Sequence, residues 1–221
     1  MRFWLLGLLL VPHMLQAETL TCPIGGERFK AVVMPECAPD SRLTMTLTPA
    51  AGCAPVLQQC PQNFLPLYKD FSEADLALLE DFIISETYDS AVDRSPYYLA
   101  YLIERYIGED NPALPIALLY EGLWRDPENT FTDAVYLEDF LFEVPSEIQR
   151  VSLGNRPFLQ SIAAFVMLKA RRPKEAMAML ESAVPTGKPE PLLTAYQAAI
   201  RACMADSASA FCDPRSLILP E

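Results

Sequence analysis

The sequence predicts a mostly α-helical protein in which a small β-rich module over 18–70 precedes a helical array over 71–204. Three observations carry this expectation. Residues 18–68 hold Pro35, Pro39, Pro49, Pro55, Pro61 and Pro66 and only short apolar runs, such as Phe29–Met34 and Leu43–Leu47. Beyond Lys69 apolar residues recur at three- and four-residue spacing, the period of a helix with one buried face. The prolines of that stretch fall where helices would begin, as at Ser95-Pro96 and Asn111-Pro112. Proline is tolerated at the first helical position because its missing amide has no intrahelical acceptor to lose.

In chain order, Arg2, an apolar run from Phe3 to Pro12, and the small residue Ala17 before Glu18 have the layout of a secretory signal peptide over 1–17. The run is about ten residues long, half the roughly 20 that a spanning helix needs. Cleavage after Ala17 is expected. The other readings are an uncleaved anchor, or a lipoprotein, for which Thr19-Leu20-Thr21 before Cys22 is a poor lipobox. No later apolar run approaches spanning length, so the mature chain is expected to be soluble, without a membrane span, and periplasmic or secreted. Loss of Arg2 takes the formal charge from −12 to −13. That sign argues against nucleic acid and anionic lipid, both of which need basic patches.

Within the β-rich module, Cys22-Pro23-Ile24-Gly25-Gly26 has a diluted copy in Cys60-Pro61-Gln62-Asn63-Phe64. A zinc ribbon is built from two C-P-x-C-G turns, each giving two thiolates to a tetrahedral metal. Gly25 and Asn63 stand where the second cysteine of each turn belongs, so the frame is zinc-ribbon-like with one thiol per turn. Two thiolates make a poor structural zinc site and a good disulfide. All six cysteines lie beyond Ala17, and an even count in an exported chain favours disulfides. The echo pairs Cys22 with Cys60, the enclosed hairpin pairs Cys37 with Cys53, and closeness in sequence pairs Cys203 with Cys212. The alternative is a four-thiolate zinc set made by Cys22, Cys37, Cys53 and Cys60; no metal and no cofactor is assigned. Leu43, Met45 and Leu47 alternate with threonines as in a half-buried strand, one of two to four short strands expected here. Gly25-Gly26 and Ala50-Ala51-Gly52 are the expected turns.

From Phe71 the chain reads helix after helix. Ser72–Asp75 is capping-box-like and opens a helix to about Tyr88. Others are expected over 95–108, 111–125 and 131–143, the last ending before Pro145. Over 156–171, Phe158, Ile162, Phe165 and Val166 share a face; over 173–184, Ala176, Leu180, Ala183 and Val184 do. Over 190–203 the shared face is Leu192, Tyr196, Ala199, Ile200 and Cys203. Starts about 17 residues apart make a two-helix unit of about 34, the length of a tetratricopeptide repeat. Ala164, Ala176, Ala183 and Ala198 would let such helices cross closely, although an ordinary antiparallel bundle would also supply most of these alanines. Residues 205–221 are left as a C-terminal tail.

With both ends in view, residues 21–204 resemble an uncharacterised bacterial family that joins an amino-terminal degenerate zinc ribbon to tetratricopeptide-like helices. Cys22–Phe29 is similar to its first knuckle, Cys60-Pro61 with Phe64 and Tyr68 to its second, and Phe71-Ser72-Glu73 to the opening of its first helix. The resemblance implies an architecture and brings no activity.

The single histidine, His13, lies in the leader, which removes histidine-dependent catalysis and histidine metal sites from the mature chain. Nucleophile-elbow, P-loop and dinucleotide motifs are absent. Glu80-Asp81, Glu109-Asp110 and Glu138-Asp139 are adjacent carboxylates, but neighbours on a helix point about 100° apart, unlike a pair facing across a cleft. They read as solvated faces, and no catalytic residue is assigned. Aromatics crowd between Tyr97 and Phe142. Tyr97, Tyr98 and Trp124, with Arg94, Arg105 and Arg125, are the candidate partner-binding residues, set against a reading of the same aromatics as core. The function expected is an exported adaptor or scaffold whose helical groove takes a peptide or protein partner, rather than an enzyme. The competing readings are a carboxylate-dependent envelope hydrolase and a thiol redox or metal-handling protein using Cys22 and Cys60. Nothing in these features sets an oligomeric state.

Overall fold

In the computed structural model, which describes residues 19–32, 42–49, 57–108, 111–188 and 190–218, the chain begins with two short antiparallel strands. β1 (Thr19–Thr21) pairs with β2 (Arg28–Lys30), placing Leu20 opposite Phe29. Gly25 and Gly26 turn the chain between them at φ of 91° and 70°, a region open to glycine without a side-chain clash. Cys22 N donates to Glu27 O at 2.9 Å across this turn, and Cys60 N donates to Leu65 O at 3.0 Å across a second one. Phe64 there has φ of 59°, so the residue four after each cysteine is left-handed in both turns. The buried sulfurs of Cys22 and Cys60 are joined, with their Cα atoms 5.6 Å apart. The leader over 1–17, the Cys37–Cys53 pair, the turn at Ala50–Gly52 and the Glu109-Asp110 pair lie outside the described residues.

The strand expected over Leu43–Leu47 is cut short. Only β3 (Leu43–Thr44) is extended; the chain then turns, with Leu47 at φ of 58° and Met45 wholly buried. The partner of β3 is β4 (Leu217–Ile218), in antiparallel register. The segment read as a C-terminal tail therefore closes onto the amino-terminal module. A 3₁₀ turn over Ala210–Cys212 precedes β4 and is tied back by a bond between Cys203 and Cys212, whose Cα atoms are 5.0 Å apart.

Between the strand pairs the described residues are mostly helical. α1 (Glu73–Phe82) opens on a complete capping box: Asp75 N donates to Ser72 Oγ and Ser72 N to Asp75 Oδ2, each at 3.1 Å. It stops at Phe82, short of the expected Tyr88, because Ser85 caps a new helix by accepting from Tyr88 N at 3.2 Å. That helix is α2 (Glu86–Asp89), followed by α3 (Pro96–Ile107), which ends at Gly108 with φ of 91°. α4 (Leu114–Arg125) begins three residues later than the expected 111. The short α5 (Pro127–Thr130) was not foreseen.

α6 (Ala134–Arg150) corrects the expected 131–143 at both ends. Asp133 sets its start by accepting from Val135 N at 3.0 Å and Tyr136 N at 3.3 Å. Pro145 does not stop it, since that residue is exposed and the lost bond falls at the surface, while the buried stripe Tyr136, Phe140 and Val144 runs on. α7 (Arg156–Lys169), α8 (Pro173–Ser182) and α9 (Pro191–Ala205) lie close to expectation. Ala164, Ala176, Leu180 and Ala183 are buried as expected. Val184 and Ala198 are exposed, and Leu193 rather than Leu192 is the buried leucine of α9. Ala198 is therefore no close-crossing residue; its neighbour Ala199 is buried.

Neighbours in the array are α3 with α4, α4 with α6, α6 with α7, and α7 with both α8 and α9. α3 and α6 run the same way, because their side-chain partners advance together: Arg94 meets Asp133, Tyr98 meets Asp139 and Tyr101 meets Glu143. One apolar cluster extends from Cys22, Met45 and Cys60 through Leu119 and Phe165 to Tyr196 and Ile218. Among the described residues no helix is long and apolar enough to cross a membrane.

Candidate functional site

After β3 the chain folds into a tight loop in which Thr44 N donates to Thr48 O at 2.9 Å and Leu47 N to Thr44 O at 2.8 Å. The turn gathers every second side chain on one side. The hydroxyl oxygens of Thr44, Thr46 and Thr48 lie 2.8, 3.0 and 2.9 Å from one another, a closed triangle. Three hydroxyls carry three protons, one for each edge, so the ring satisfies its own donors and keeps oxygen lone pairs for an outside donor. Thr44 Oγ1 also accepts from Thr46 N at 3.3 Å; Thr46 and Thr48 are buried and Thr44 is half-buried, so the ring meets the cleft edge-on.

Two tyrosines from distant helices hold this loop in shape. Tyr120 of α4 donates to Thr46 O at 2.7 Å, and Tyr196 of α9 donates to Met45 O at 2.8 Å. Ser216 O, beside β4, accepts from Met45 N at 2.9 Å. Burial pushes the Tyr120 phenol up to about 12 and the wholly buried Tyr196 phenol well above its ordinary value, so both stay neutral donors near neutral pH.

The triangle forms one wall of a cleft of about 340 Å³ whose other walls are Trp124, Arg125, Pro127, Pro214 and Arg215. The Arg125 guanidinium lies 4.2 Å from the centre of the Trp124 ring, and its Nε meets Glu121 at 2.5 Å. Arg215 meets Glu128 at 2.5 Å. A second cleft of about 320 Å³ adjoins the first, sharing Pro127, Pro214 and Arg215 and adding Phe131, Thr132 and Lys169 together with the carboxylates Glu128 and Asp213. One apolar wall, one ring of hydroxyl acceptors and two guanidinium groups thus converge. Such a cleft can accept backbone N–H groups, cover an apolar side chain and hold a carboxylate.

The six candidate residues from the sequence fall in two places. Trp124 and Arg125 line the cleft. Arg94, Tyr98 and Arg105 lie along the α3–α6 seam, where Arg94 grips both oxygens of Asp133 at 2.8 Å and sits 5.0 Å from the Tyr98 ring centre. Tyr98 donates to Asp139 at 2.7 Å, and Arg105 approaches Glu143 at 3.7 Å. Tyr97 is buried between α3 and α4, close to Gly122. Of the carboxylate pairs, Glu80 and Asp81 are exposed, Glu138 holds Arg172 at 2.9 Å, and Asp139 is taken by Tyr98.

The residues missed in the sequence are the three threonines, Pro214 and Arg215. The threonines did leave a signal, their two-residue spacing, but it reads equally well as the outer face of a strand. No protein-family model, curated protein or solved structure matches this chain.

Proposed function

We propose that this chain is an exported, disulfide-stapled adaptor that holds an extended peptide segment of a protein partner in the cleft walled by Thr44, Thr46 and Thr48. The carrying observation is the hydroxyl triangle, fixed by Tyr120 and Tyr196 and set beside Trp124, Arg125 and Arg215. A rigid acceptor ring favours binding because little order remains to be imposed when a ligand arrives. The segment bears a single carboxylate among apolar and uncharged residues: the guanidinium groups receive that carboxylate, while a chain of net charge −12 repels a strongly acidic ligand.

The finer architecture belongs to the same proposal. Two cysteine turns of one shape support a degenerate zinc ribbon of the resembled family, and the parallel course of α3 and α6 about α4 supports tetratricopeptide-like stacking. Export is supported by the leader pattern and by the two described disulfides. Mass spectrometry of the protein from its native cell should find Glu18 as the first residue outside the cytoplasm. An intact Met1 on cytosolic protein would remove export from the reading.

Binding is tested with short apolar peptides that differ only in carrying one carboxylate or its amide. Trp4 and Trp124 are the two tryptophans and Trp4 lies in the leader, so in the mature chain Trp124 fluorescence is a reporter inside the cleft. The carboxylate peptide should bind at least tenfold more tightly than the amide, and Arg215→Glu should erase that difference. Thr46→Val should weaken both peptides. Equal binding of the two peptides to wild type, or variants that leave affinity unchanged, would overturn the proposal.

A further inference from the structure

The two cysteine turns differ in what fills the place three residues after each cysteine, where a metal-binding knuckle carries its second ligand. In the second turn that place is Asn63, and both ends of its side chain are engaged: Nδ2 donates to Ile24 O and Oδ1 accepts from Leu65 N, both at 3.1 Å. In the first turn it is Gly25, and the Glu27 carboxylate folds back into the vacated space. A β-carbon on Gly25 would lie 2.6 Å from Glu27 Oε2. That oxygen is buried and has no hydrogen-bond partner, whereas Oε1 accepts from Gln62 N at 3.4 Å. A buried acceptor without a donor is destabilising, and a carboxylate more so than most. The Cys22 and Cys60 sulfurs and a Glu27 carboxylate oxygen all lie within 4.8 Å of one another.

We propose that Cys22, Cys60 and Glu27 form a redox-gated site for a divalent thiophilic ion of the zinc class, with Glu27 standing in for the cysteine missing at Gly25. While the disulfide is closed, the sulfurs are bonded to each other and no thiolate is available. A dithiol reductant opens it: two electrons and two protons pass to the sulfurs, and the dithiol becomes a disulfide. The ion then displaces both thiol protons, forming two metal–sulfur bonds and one to the Glu27 carboxylate, with a water in the fourth position. Sulfurs bound to zinc at about 2.3 Å in tetrahedral geometry sit about 3.8 Å apart, so the turns need only part slightly. Loss of the ion and return of two electrons to an oxidant of the disulfide class restores the bond. The unpartnered Glu27 oxygen, unexplained by the disulfide alone, is the ligand of the reduced state. This site is separate from the cleft and does not rest on the adaptor reading.

The test uses the full chain, stripped of metal, in its oxidised form and after anaerobic treatment with a dithiol under native conditions. Zinc is titrated against a chelator, and cobalt(II) serves as its spectroscopic stand-in. The oxidised protein should take no zinc; the reduced protein should take one equivalent, with the thiolate-to-cobalt charge-transfer band. Cys22→Ser with Cys60→Ser should abolish both signals although the other four cysteines remain. Glu27→Gln keeps the fold testable: it should keep the thiolate band, weaken zinc at least tenfold, and leave the oxidised protein no less stable than wild type. The proposal is overturned if the native disulfide resists the dithiol, if reduced wild type binds no more zinc than the double serine variant, or if Glu27→Gln binds zinc as tightly as wild type.

Discussion

Gly122→Ala probes the crossing of α3, α4 and α6 with the smallest change available. Gly122 is buried within α4, and a β-carbon there would lie 2.8 Å from Tyr97 Cβ and collide with Tyr136 Oη. Three effects compete. Alanine in a helix interior is favoured over glycine by about 1 kcal/mol. Overpacking a tight contact costs about 1–3 kcal/mol. If Tyr136 swings away, its bond to Leu119 O at 2.7 Å is lost in a buried setting, at about 1–3 kcal/mol more. The two costs win, leaving the variant less stable by about 3 kcal/mol, or a melting point lower by about 6–12 °C for a chain of this size. Urea and thermal unfolding followed by circular dichroism measure it. The partner variant Tyr136→Phe removes the nearest obstructing atom, so the double variant should lose less than the sum of the singles, though Tyr97 Cβ still obstructs. Wild-type stability in Gly122→Ala, or strict additivity in the double variant, would refute the close crossing.

Ala176→Leu and Ala183→Leu should each cost about 1–3 kcal/mol, since both alanines are buried; unchanged melting in both would mark them as surface residues. Opening the Cys22–Cys60 bond, which spans 38 residues, should cost about 4 kcal/mol on the chain-entropy estimate, and opening Cys203–Cys212, which spans 9, about 2.5. Denaturant titration of the paired serine variants checks the order, and a reversed order would show that loop length does not govern it. Alkali should unfold the protein in one step. Burial lifts the Tyr136 and Tyr196 phenols well above their ordinary value, so above a pH of about 10 the unfolded chain loses these protons first. Their stabilisation is complete below that pH and falls by about 3 kcal/mol per pH unit above it for the two together. Tyrosinate absorbance should therefore rise with the loss of helix signal; ionisation of these buried phenols with the fold intact would count against the burial.

Some helix starts set by a local backbone rule were legible, whereas Asn111-Pro112 placed α4 three residues early and the Ser85 and Asp133 caps went unread. The Ser72 capping box, Pro96 and Pro173 stand where expected. What misled was a rule outweighed by tertiary burial: Pro145 reads as a stop, yet the apolar stripe of α6 continues past it because the missing amide faces outward. Leu43, Met45 and Leu47 satisfy a strand period, but Met45 is drawn into the core and Leu47 goes left-handed, and neither preference is written in the spacing. The cleft was only half legible. Trp124 and Arg125 stood out as types, whereas Arg215 reaches the same place only because β4 returns to β3. Glu27 gave no signal at all: it lies two residues beyond the knuckle position that its carboxylate fills.

The bond from Tyr196 to Met45 joins residues 151 apart in the chain. At synthesis rates of about 5–20 residues per second, Met45 waits about 8–30 s for its partner to exist, and the β3–β4 seam waits longer still. During that interval the helices can form on their own short-range contacts while the threonine loop cannot be fixed. The seam is a clasp fastened last. A chain cut short between Ala205 and Leu217 would carry its helices from α1 to α9 but not the β3–β4 seam, and so would leave the cleft unfinished.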